Sequence, residues 1–304
     1  MKAVLLRETG GPEKLELTDV PDPEPGEGEV ILRVRAAGIN FLDVLVRQGR
    51  YAQQPELPLV PGVEIAGEVD GRRVIALPSE GGYAELARVR AESLVPLPDG
   101  ATFEEGASFL MAFLTVYVPL TRQVRLEPGA TVLVHAAAGG VGSAAVQLAK
   151  HYGCHVVATA SSEQKRAFAR ELGADETYGY DDFAERVRAD VVLDPVGGEL
   201  VSPSLNVLRP LGAFVALGYA GGFWQEVNPA LLVGRNIGLL GFYLGRLMRF
   251  APDVVRAATE ELVQLWHSGA VKPVVGATFP LAQAGDAQRL IEERKSMGKV
   301  VLVP

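Results

Sequence analysis

The 304-residue sequence contains a single cysteine, Cys154, and four histidines. A single cysteine excludes an internal disulfide, and so low a cysteine content is typical of a cytoplasmic protein. The histidines show no metal-ligand spacing with a carboxylate, so the sequence offers no zinc site. Because Cys154 begins an apolar run, we interpret it as a buried core residue rather than a reactive thiol.

Long apolar runs and blocks of like charge are also absent. No uninterrupted stretch reaches the roughly 18 apolar residues of a membrane-spanning helix, and Lys2 and Arg7 interrupt the amino-terminal segment too early for a signal peptide. The net charge of −8 is spread along the chain. We therefore expect a small molecule as the partner, and neither a nucleic acid nor a membrane.

Glycine, in contrast, is concentrated at one informative turn. An apolar run at residues 132–134 leads into glycines at 139, 140 and 142, and residues 143–150 then have a helical pattern. Strand, glycine turn and helix in this order grip the pyrophosphate of a dinucleotide. Gly139 lets the backbone approach the phosphates, and Gly142 lets the helix pack closely on the strand. Ala137 stands at the first glycine position of the usual fingerprint.

The segment after this turn continues the same pattern. Residues 154–159 form a second apolar run at the spacing of a βαβ unit, Ser161 begins a capping-box pattern with Gln164, and Gly173 ends the predicted helix. The competing interpretation is a βαβ unit with a tight turn and no ligand. The regular order of strand, turn, helix and strand favours a dinucleotide site.

The end of the second strand bears on the choice between NADH and NADPH. An NADH site usually carries an acidic residue here, which holds the ribose 2′-hydroxyl. This chain has small uncharged residues at 159–162, with Lys165 and Arg166 one turn later, and these suit a 2′-phosphate. Glu163 lies close enough to leave NADH open, and Lys165 could also be a solvated helix residue. We predict NADPH as the cofactor.

Two kinds of pattern divide the chain. Residues 118–255 alternate apolar strands and helices, which predicts an α/β, Rossmann-type domain with a doubly wound parallel sheet. Residues 1–117 and 256–304 predict a β-rich domain, with the cleft between the two domains as the expected site. The predicted strands are residues 3–6, 15–18, 30–37, 64–69, 73–77, 83–89, 191–194, 213–217, 237–242 and 299–303, and the clearest helices are 41–48 and 252–268.

Seven motifs in a fixed order extend over essentially the full length. They are residues 37–43 with 47–51, 61–67, 81–85, 136–142, 173–175, 194–198 and 298–302. With these motifs the chain resembles the medium-chain dehydrogenase/reductase superfamily, in its zinc-free quinone oxidoreductase (zeta-crystallin-like) branch. The resemblance implies a GroES-like fold for the β-rich domain, and Ala137 is usual at its position in this family.

The resemblance also implies that no zinc is used. In the zinc-dependent branch a ligating cysteine stands where this chain has Asn40, and a ligating histidine where it has Val63. Asn and Val cannot replace thiolate and imidazole. Without a Lewis acid, hydride must pass to an electron-poor acceptor, so the resemblance implies NADPH-dependent reduction of a quinone. The alternatives are an enone or alkenal double-bond reductase and a non-catalytic NADPH-binding sensor.

The substrate positions of the family map onto Asn40, Asp43 and Tyr51, which are the predicted catalytic residues. Asn40 would hydrogen-bond the acceptor carbonyl, and Tyr51 would donate a hydrogen bond or a proton. The competing interpretations are a helix N-cap for Asn40, a structural carboxylate for Asp43 and a loop aromatic for Tyr51. We interpret Glu64 as a buried, hydrogen-bonded carboxylate.

The resemblance implies three groups of cofactor contacts. The pyrophosphate and nicotinamide positions are Ala138, Gly139, Gly140, Val141 and Gly142; the adenosine-phosphate positions are Ser161, Lys165 and Tyr180; and the positions along the nicotinamide are Leu217, Gly218, Phe242 and Leu244. Gly179 replaces the asparagine that the family often has before this tyrosine. Members of this branch commonly form dimers, for which the strand at Gly238 and Leu240 is the expected edge.

Overall fold

The computed structural model describes residues 1–223 and 225–304. The strands are β1 (Lys2–Leu6), β2 (Leu15–Asp19), β3 (Glu29–Ile39), β4 (Ile65–Val69), β5 (Arg72–Ala76), β6 (Leu86–Arg90), β7 (Val95–Pro96), β8 (Thr131–Val134), β9 (His155–Thr159), β10 (Glu176–Tyr178), β11 (Ala189–Asp194), β12 (Leu208–Ala216), β13 (Gly238–Gly241), β14 (Val275–Pro280) and β15 (Lys299–Val303). The α-helices are α1 (Phe41–Arg47), α2 (Phe103–Gly106), α3 (Leu110–Val118), α4 (Gly140–His151), α5 (Glu163–Glu171), α6 (Phe183–Arg186), α7 (Val201–Val207), α8 (Pro229–Arg235), α9 (Leu244–Phe250), α10 (Pro252–His267) and α11 (Ala284–Glu292).

A first compact unit comprises Met1–Met111 and Pro273–Pro304. Its main sheet has the strand order β14-β15-β3-β4-β5-β7, and β6 also pairs with β3. The long strand β3 is its centre, because it pairs antiparallel with β4, β6 and β15. The carboxyl-terminal strand thus returns to the amino-terminal sheet, as predicted. The core draws aliphatic side chains from both pieces of chain, among them Val34, Ile65, Val74, Val300 and Leu302.

The second unit, Ala112–Lys272, is built on six parallel strands in the order β10-β9-β8-β11-β12-β13. Counted from β8, this is the doubly wound order 3-2-1-4-5-6 of dinucleotide-binding domains, which confirms the predicted fold class. All four β8 residues are buried, as a sheet covered on both faces requires. The strand order reverses between β8 and β11, and ligands of such sheets bind at the carboxyl ends of the strands at this reversal.

The unit boundaries differ from those predicted at residues 117 and 255. Helix α10 lies wholly in the second unit, so a boundary after residue 255 would cut through its first turn. Its buried residues include Ala258, Leu262 and Trp266, which follow helical spacing. Glu261 on the same helix accepts a hydrogen bond from the Tyr117 hydroxyl at 2.6 Å, within that unit.

Three strands, β10, β14 and the two-residue β7, escape sequence-based prediction, and one strand begins clearly later than predicted. β10 has only three residues, none of them buried, and β14 is interrupted by Gly276. A Cβ at Gly276 would lie 1.5 Å from the carbonyl oxygen of Met297, so only glycine fits there. The strand predicted at 83–89 begins at Leu86, because the Tyr83 carbonyl instead accepts a hydrogen bond from the Val4 amide at 2.8 Å.

One helical segment, Phe103–Gln123, is long and apolar enough to cross a membrane when judged by length and composition alone. In the structure, 72% of its most apolar stretch is buried inside the protein. A buried core helix has the same length and composition, so this segment gives only weak evidence for a membrane span.

Candidate active site

The glycine turn lies at the carboxyl end of β8, where the strand order reverses. Gly139 is the N-cap of α4, with φ −80° and ψ 175°. A Cβ on Gly142 would lie 2.1 Å from the carbonyl oxygen of Ala136, whereas a Cβ on Gly139 would lie 3.3 Å from that oxygen. Gly142 therefore permits close packing of helix and strand, and Gly139 keeps the turn open for the approach of a ligand.

The first turn of α4 fits a diphosphate group. The N–H groups of Gly140, Val141 and Gly142 have no carbonyl four residues earlier within the helix, and the helix dipole favours an anion at this end. No acidic residue lies in the first turn of this twelve-residue helix. Ala138 is 2% exposed and adds only a methyl group. The predicted contacts at 138–142 thus lie together in a turn with the chemistry that the NADPH pyrophosphate needs.

The predicted adenosine-phosphate contacts lie where β9 and β10 end. These strands are parallel neighbours, and the N–H of Ala160 donates to the carbonyl of Tyr178 at 3.2 Å. The ring of Tyr180 lies 6.4 Å from the ring of His135, which directly follows β8. The structure therefore places Tyr180 near the carboxyl end of β8, as an adenosine contact requires.

His135 is a structural residue within this arrangement. The imidazole is fully buried, and its two nitrogens lie 2.7 Å from Thr159 Oγ1 and 2.7 Å from Ser204 Oγ. Burial lowers the pKa of His135 to about 3, so the ring is neutral at physiological pH. It ties the ends of β8 and β9 to α7, and its single ring N–H is directed at one of the two neighbouring hydroxyl oxygens.

The start of α5 differs by one residue from the prediction. The N-cap is Ser162, whose Oγ accepts a hydrogen bond from the N–H of Lys165 at 3.3 Å. The capping box predicted at Ser161 is therefore wrong, because Ser162 is the residue with extended backbone before the first helical turn. Ser161 is exposed in the segment after β9, and Lys165 lies in the first turn of α5.

The predicted nicotinamide contacts Leu217 and Gly218 follow β12. The N–H of Leu217 donates to the carbonyl of Asp194 at 2.8 Å, and a Cβ on Gly218 would lie 2.9 Å from the carbonyl oxygen of Pro195. The buried Asp194 carboxylate accepts from the N–H of Val196 at 2.7 Å. Burial raises the pKa of Asp194 to about 6. The Asp194 carboxylate thus holds the loop after β11 by accepting from the Val196 and Gly197 amides, and the Asp194 backbone carbonyl joins this loop to the residue after β12.

Phe242 and Leu244 follow β13, at the same edge of the parallel sheet. The N–H of Phe242 donates to the carbonyl of Ala216 at 3.0 Å. Leu244 begins α9 and is 4% exposed, so its side chain belongs to the core of this unit. Phe242 also lines a groove of about 750 Å³ that is mostly apolar and includes Leu240, Tyr243, Leu247, Phe250 and Val254.

In the first unit, Asn40 lies between a buried ammonium and a buried carboxylate. Lys299 Nζ donates to Asn40 Oδ1 and to Glu64 Oε2, each at 2.7 Å, and the Lys299 and Glu64 side chains are 5% and 1% exposed. Asn40 Nδ2 donates to Glu64 Oε2 at 3.2 Å and to the carbonyl of Gly38 at 3.4 Å. Because an ammonium can only donate, Lys299 fixes the orientation of the carboxamide. Both amide hydrogens of Asn40 are directed at protein acceptors.

Lys299 was not among the predicted site residues, although Glu64 is the buried, hydrogen-bonded carboxylate that the sequence indicated. The available signal was a lysine at the head of an otherwise apolar strand, at residues 299–303. A charged residue in such a position is seldom fully buried unless it has a partner. Its partner lies 235 positions earlier in the chain, which local patterns do not reveal.

Asn40 is also the N-cap of α1, but only by its backbone. The N–H of Asn40 donates to Asp43 Oδ2 at 2.7 Å, and the N–H of Asp43 donates to the Asn40 carbonyl at 3.0 Å. The Asn40 carboxamide is directed to Lys299 and Glu64 instead of the helix amides. Asp43 is 2% exposed, so in the structure its carboxylate serves the helix start.

Tyr51 lies on the loop after α1 and is partly buried. It packs against a small apolar cluster of Leu6, Val46 and Leu59. This packing fits the loop-aromatic interpretation and leaves the predicted role as hydrogen-bond donor open.

Replacing Asp43 with asparagine should change the pH dependence of stability. Burial raises the pKa of Asp43 to about 6, against an ordinary value of 3.8. As pH rises, the unfolded chain therefore loses this proton before the folded chain does, and stability falls between these two values. Raising the pKa to about 6 corresponds to about 3 kcal/mol.

Urea unfolding of the wild-type protein and the Asp43→Asn variant between pH 4 and pH 7 measures this effect. The stability of the variant relative to wild type should increase over that range, because the variant has no such group to ionise. A difference that stays constant with pH would contradict the assignment to this carboxyl.

Within residues 1–223 and 225–304, no three His, Cys, Asp or Glu side chains are placed together as a metal site. By the resemblance given above, the zinc-dependent branch has a zinc ligand at each of two positions that are Asn40 and Val63 in this chain.

Comparisons with known proteins match the whole chain. The alcohol dehydrogenase GroES-like domain matches residues 26–99, and the zinc-binding dehydrogenase domain matches residues 140–264. The quinone oxidoreductase of Pseudomonas aeruginosa is 37% identical over an alignment of 328 positions, gaps included, which covers 100% of this chain and 99% of the relative. The human synaptic vesicle membrane protein VAT-1 homolog is 33% identical over an alignment of 341 positions, gaps included, which covers 100% of this chain and 86% of the relative.

Solved structures give the same result. The quinone oxidoreductase of Thermus thermophilus, whose structure is also known as a complex with NADPH, is 43% identical and superposes with a TM-score of 0.93 over 100% of both chains. The similarity thus includes both the GroES-like sheet and the doubly wound sheet. This chain is an oxidoreductase that belongs to the medium-chain dehydrogenase/reductase superfamily, in its quinone oxidoreductase branch.

Proposed function

We propose that this protein is a zinc-independent NADPH:quinone oxidoreductase of the zeta-crystallin-like type. The observation that carries the proposal is the glycine turn at the reversal of strand order, together with the basic residues Lys165 and Arg166 in the first turns of the helix that follows β9. The full-length similarity to quinone oxidoreductases, one of them known with NADPH, supports it. The single cysteine is in keeping with a cytoplasmic location, which we include in the proposal.

The donor chemistry around Asn40 supports zinc independence. A carboxamide and the Val63 side chain provide neither the thiolate nor the imidazole that zinc prefers. The Lys299 ammonium already lies 2.7 Å from the Asn40 oxygen and 2.7 Å from Glu64. A divalent cation at these oxygens would have to displace a buried positive charge, which electrostatics disfavours.

In this mechanism the protein binds and orients the reactants. NADPH, when bound, supplies the hydride that reduces the acceptor. The first turn of α4 would hold the pyrophosphate, and the loops at Leu217 and Phe242 would lie along the nicotinamide. Tyr51 stays the predicted contact of the quinone oxygen, as the donor that stabilises developing negative charge. Asn40 could donate to that oxygen only by giving up its hydrogen bond to the Gly38 carbonyl or to Glu64.

The test is NADPH oxidation followed by absorbance, with 1,4-benzoquinone and 9,10-phenanthrenequinone in one set and methyl vinyl ketone in another. NADH is assayed in parallel. The proposal predicts turnover with quinones and NADPH. Turnover with methyl vinyl ketone alone would assign the protein to the double-bond reductases. Binding of NADPH without reduction of any acceptor would favour the non-catalytic sensor.

A Tyr51→Phe variant should lower kcat while leaving the Kd for NADPH unchanged. Loss of a proton-donating hydroxyl typically costs on the order of 100-fold in rate, and the ring keeps its packing against Leu59 and Val46. Tyr152→Phe is the control, because Tyr152 packs beside Tyr117 in the second unit and is not a predicted contact. Unchanged kcat in the Tyr51 variant would reduce Tyr51 to a packing residue.

We also propose that two copies of the chain pair through β13. In the described part of the chain β13 is the last strand of its sheet, and Leu239 on it is 39% exposed. A strand edge with exposed apolar side chains is a template for pairing with another chain. Leu239→Lys should therefore shift the protein from dimer to monomer in sedimentation analysis. Leu17→Lys, at a residue 42% exposed on β2, is the matched control and should leave the oligomer unchanged. A monomeric wild-type protein would contradict the proposal.

A further inference from the structure

Arg166 occupies a distinctive place at the carboxyl end of β9. Its Nε donates to Glu163 Oε2 at 3.0 Å, and its Nη1 donates to the carbonyl of Ala160 at 3.4 Å. The side chain is only 25% exposed. The guanidinium is therefore held against the end of the strand instead of extending into solvent, as an arginine on a solvated helix face would.

The turn after β10 leaves room for this guanidinium. A Cβ on Gly179 would lie 3.9 Å from Arg166 Nη1 and 3.5 Å from Asp182 Oδ1, so the arginine lies beside the glycine that precedes Tyr180, and a carboxylate that pairs with Arg186 lies at the same turn. β9 and β10 are parallel neighbours, and their carboxyl ends form the place where a doubly wound sheet holds the adenosine ribose. The Asn that often stands at position 179 in relatives is absent here, and the arginine lies next to that position.

Glu163 is the acidic residue in the first turn of α5, which follows β9, and it is already ion-paired twice. Besides Arg166, it pairs with Arg170 Nη2, and these two partners hold the pKa of the Glu163 carboxyl below its usual range, Arg170 having the larger effect. An NADH site needs a carboxylate that is available to the ribose 2′-hydroxyl. In this structure the carboxylate accepts from two guanidinium groups instead.

We propose that Arg166 is a specificity-determining residue that binds the 2′-phosphate of NADPH, and that Glu163 holds its guanidinium in position. The inference rests on the proposed function and adds to it the residue pair that selects the cofactor. A guanidinium is planar, and its N–H donors can bind two phosphate oxygens at once. A guanidinium that is already held in position loses less conformational entropy on binding than a mobile side chain does. The Glu163 carboxylate positions the Arg166 guanidinium, but its negative charge also weakens the attraction between the site and the 2′-phosphate dianion.

The adenosine half of the cofactor allows a test that does not depend on turnover. Titration calorimetry of the protein without cofactor measures the Kd for 2′,5′-ADP and for 5′-AMP, which differ in the 2′-phosphate. Arg166→Gln should weaken 2′,5′-ADP about tenfold or more, since tenfold corresponds to 1.4 kcal/mol, and should change 5′-AMP less than twofold. Glu163→Gln keeps an oxygen for Arg166 and removes the negative charge, so it should tighten 2′,5′-ADP a few-fold.

Arg170→Gln is the matched control. Arg170 lies on the same helix and pairs with the same Glu163, but its other hydrogen bond goes to Thr177 Oγ1 on β10 at 2.6 Å, whereas that of Arg166 goes to the Ala160 carbonyl after β9. Arg170→Gln removes the same charge as Arg166→Gln. If direct contact of Arg166 with the 2′-phosphate sets the affinity, the control should therefore leave the Kd values for 2′,5′-ADP and 5′-AMP within about twofold of wild type. Equal losses in the two arginine variants would show a general field effect and overturn the contact role.

The outcomes separate the inference from the proposed function. If the wild-type protein binds 2′,5′-ADP no more tightly than 5′-AMP, the NADPH assignment itself fails. If the wild type prefers 2′,5′-ADP and Arg166→Gln retains that preference, only the inference fails. In that case Lys165→Ala, measured in the same way, would show whether Lys165 supplies the contact alone. Circular dichroism melts establish that each variant is folded.

Discussion

Replacing Lys299 with methionine should cost about 3 to 5 kcal/mol of the free energy of unfolding of the first unit. The substitution leaves Glu64, which is 1% exposed, without the ammonium that lies 2.7 Å from its Oε2. It also removes the donor to Asn40 Oδ1 and to the carbonyl of Ile39. A buried carboxylate that has lost its partner is far more costly than the pair was worth, because its desolvation is no longer offset.

The loss in the free energy of unfolding should arise from the unpaired Glu64 carboxylate and not from the removal of the lysine side chain itself. Glu64→Gln added to Lys299→Met removes the uncompensated charge, so the double variant should recover more than half of the loss. Lys2→Met provides the surface control. Lys2 pairs with Asp19 at 2.6 Å, but these side chains are 51% and 75% exposed, and such a pair contributes about 1 kcal/mol or less.

Native-state hydrogen exchange of the amides of β3, β4 and β15 is the appropriate measurement, because it reports on the first unit alone. Protection there should fall strongly in Lys299→Met, recover in the double variant and stay close to wild type in Lys2→Met. Equal protection in Lys299→Met and Lys2→Met would show that the buried cluster does not stabilise the sheet. The same variant should also lower kcat if Asn40 contacts substrate, since Lys299 sets the orientation of its amide.

The Lys299 cluster shows which parts of the site local sequence can predict. The glycine turn was predictable because strand, turn and helix are consecutive in the chain and each has its own signature. The backbone N-cap position of Asn40 was predictable for the same reason, since asparagine followed three residues later by Asp43 is a local pattern. The ion pair joins residues that are distant in sequence, so only the folded sheet brings them together.

The weaker predictions failed for physical reasons of two kinds. β10 is too short and too polar to show an apolar run, and β14 contains a glycine that the sheet requires at a close approach of backbone. Near Ser161 two serines stand side by side, and both have the preference for an N-cap. The backbone conformation then selects Ser162, which propensity alone does not decide.

The ion pair of Glu163 and Arg166 is intermediate between features that local sequence predicts and contacts that only the folded chain reveals. Their spacing of three residues on a helix predicts an ion pair, but the sequence does not tell whether that pair lies in solvent or at a site. The carbonyl of Ala160 and the turn at Gly179 supply the answer, because both lie against the guanidinium. A pair that would be a routine surface feature elsewhere on a helix becomes a candidate determinant of cofactor choice at the end of β9.

Gly142→Ala and Gly139→Ala should both abolish tight NADPH binding, but for different reasons. A Cβ at Gly142 would lie 2.1 Å from the carbonyl oxygen of Ala136 and 2.7 Å from the Cα of Ala137. Both atoms are backbone, so the helix and the turn must separate, and the free energy of unfolding should fall by about 3 kcal/mol. A Cβ at Gly139 meets only the Ala136 oxygen, at 3.3 Å, and its backbone angles suit alanine.

The two variants therefore distinguish packing from ligand approach. Gly139→Ala should melt close to wild type and bind 2′-AMP nearly as well, because that ligand has no 5′-phosphate to lie against the turn, yet bind NADPH on the order of 100-fold more weakly. Gly142→Ala should melt at a lower temperature and lose affinity for both ligands. Thermal melts and titration calorimetry of the protein without cofactor measure these effects. If Gly139→Ala bound NADPH as tightly as wild type, the pyrophosphate could not lie against this turn, and the role of the helix amides in the proposed function would have to be abandoned.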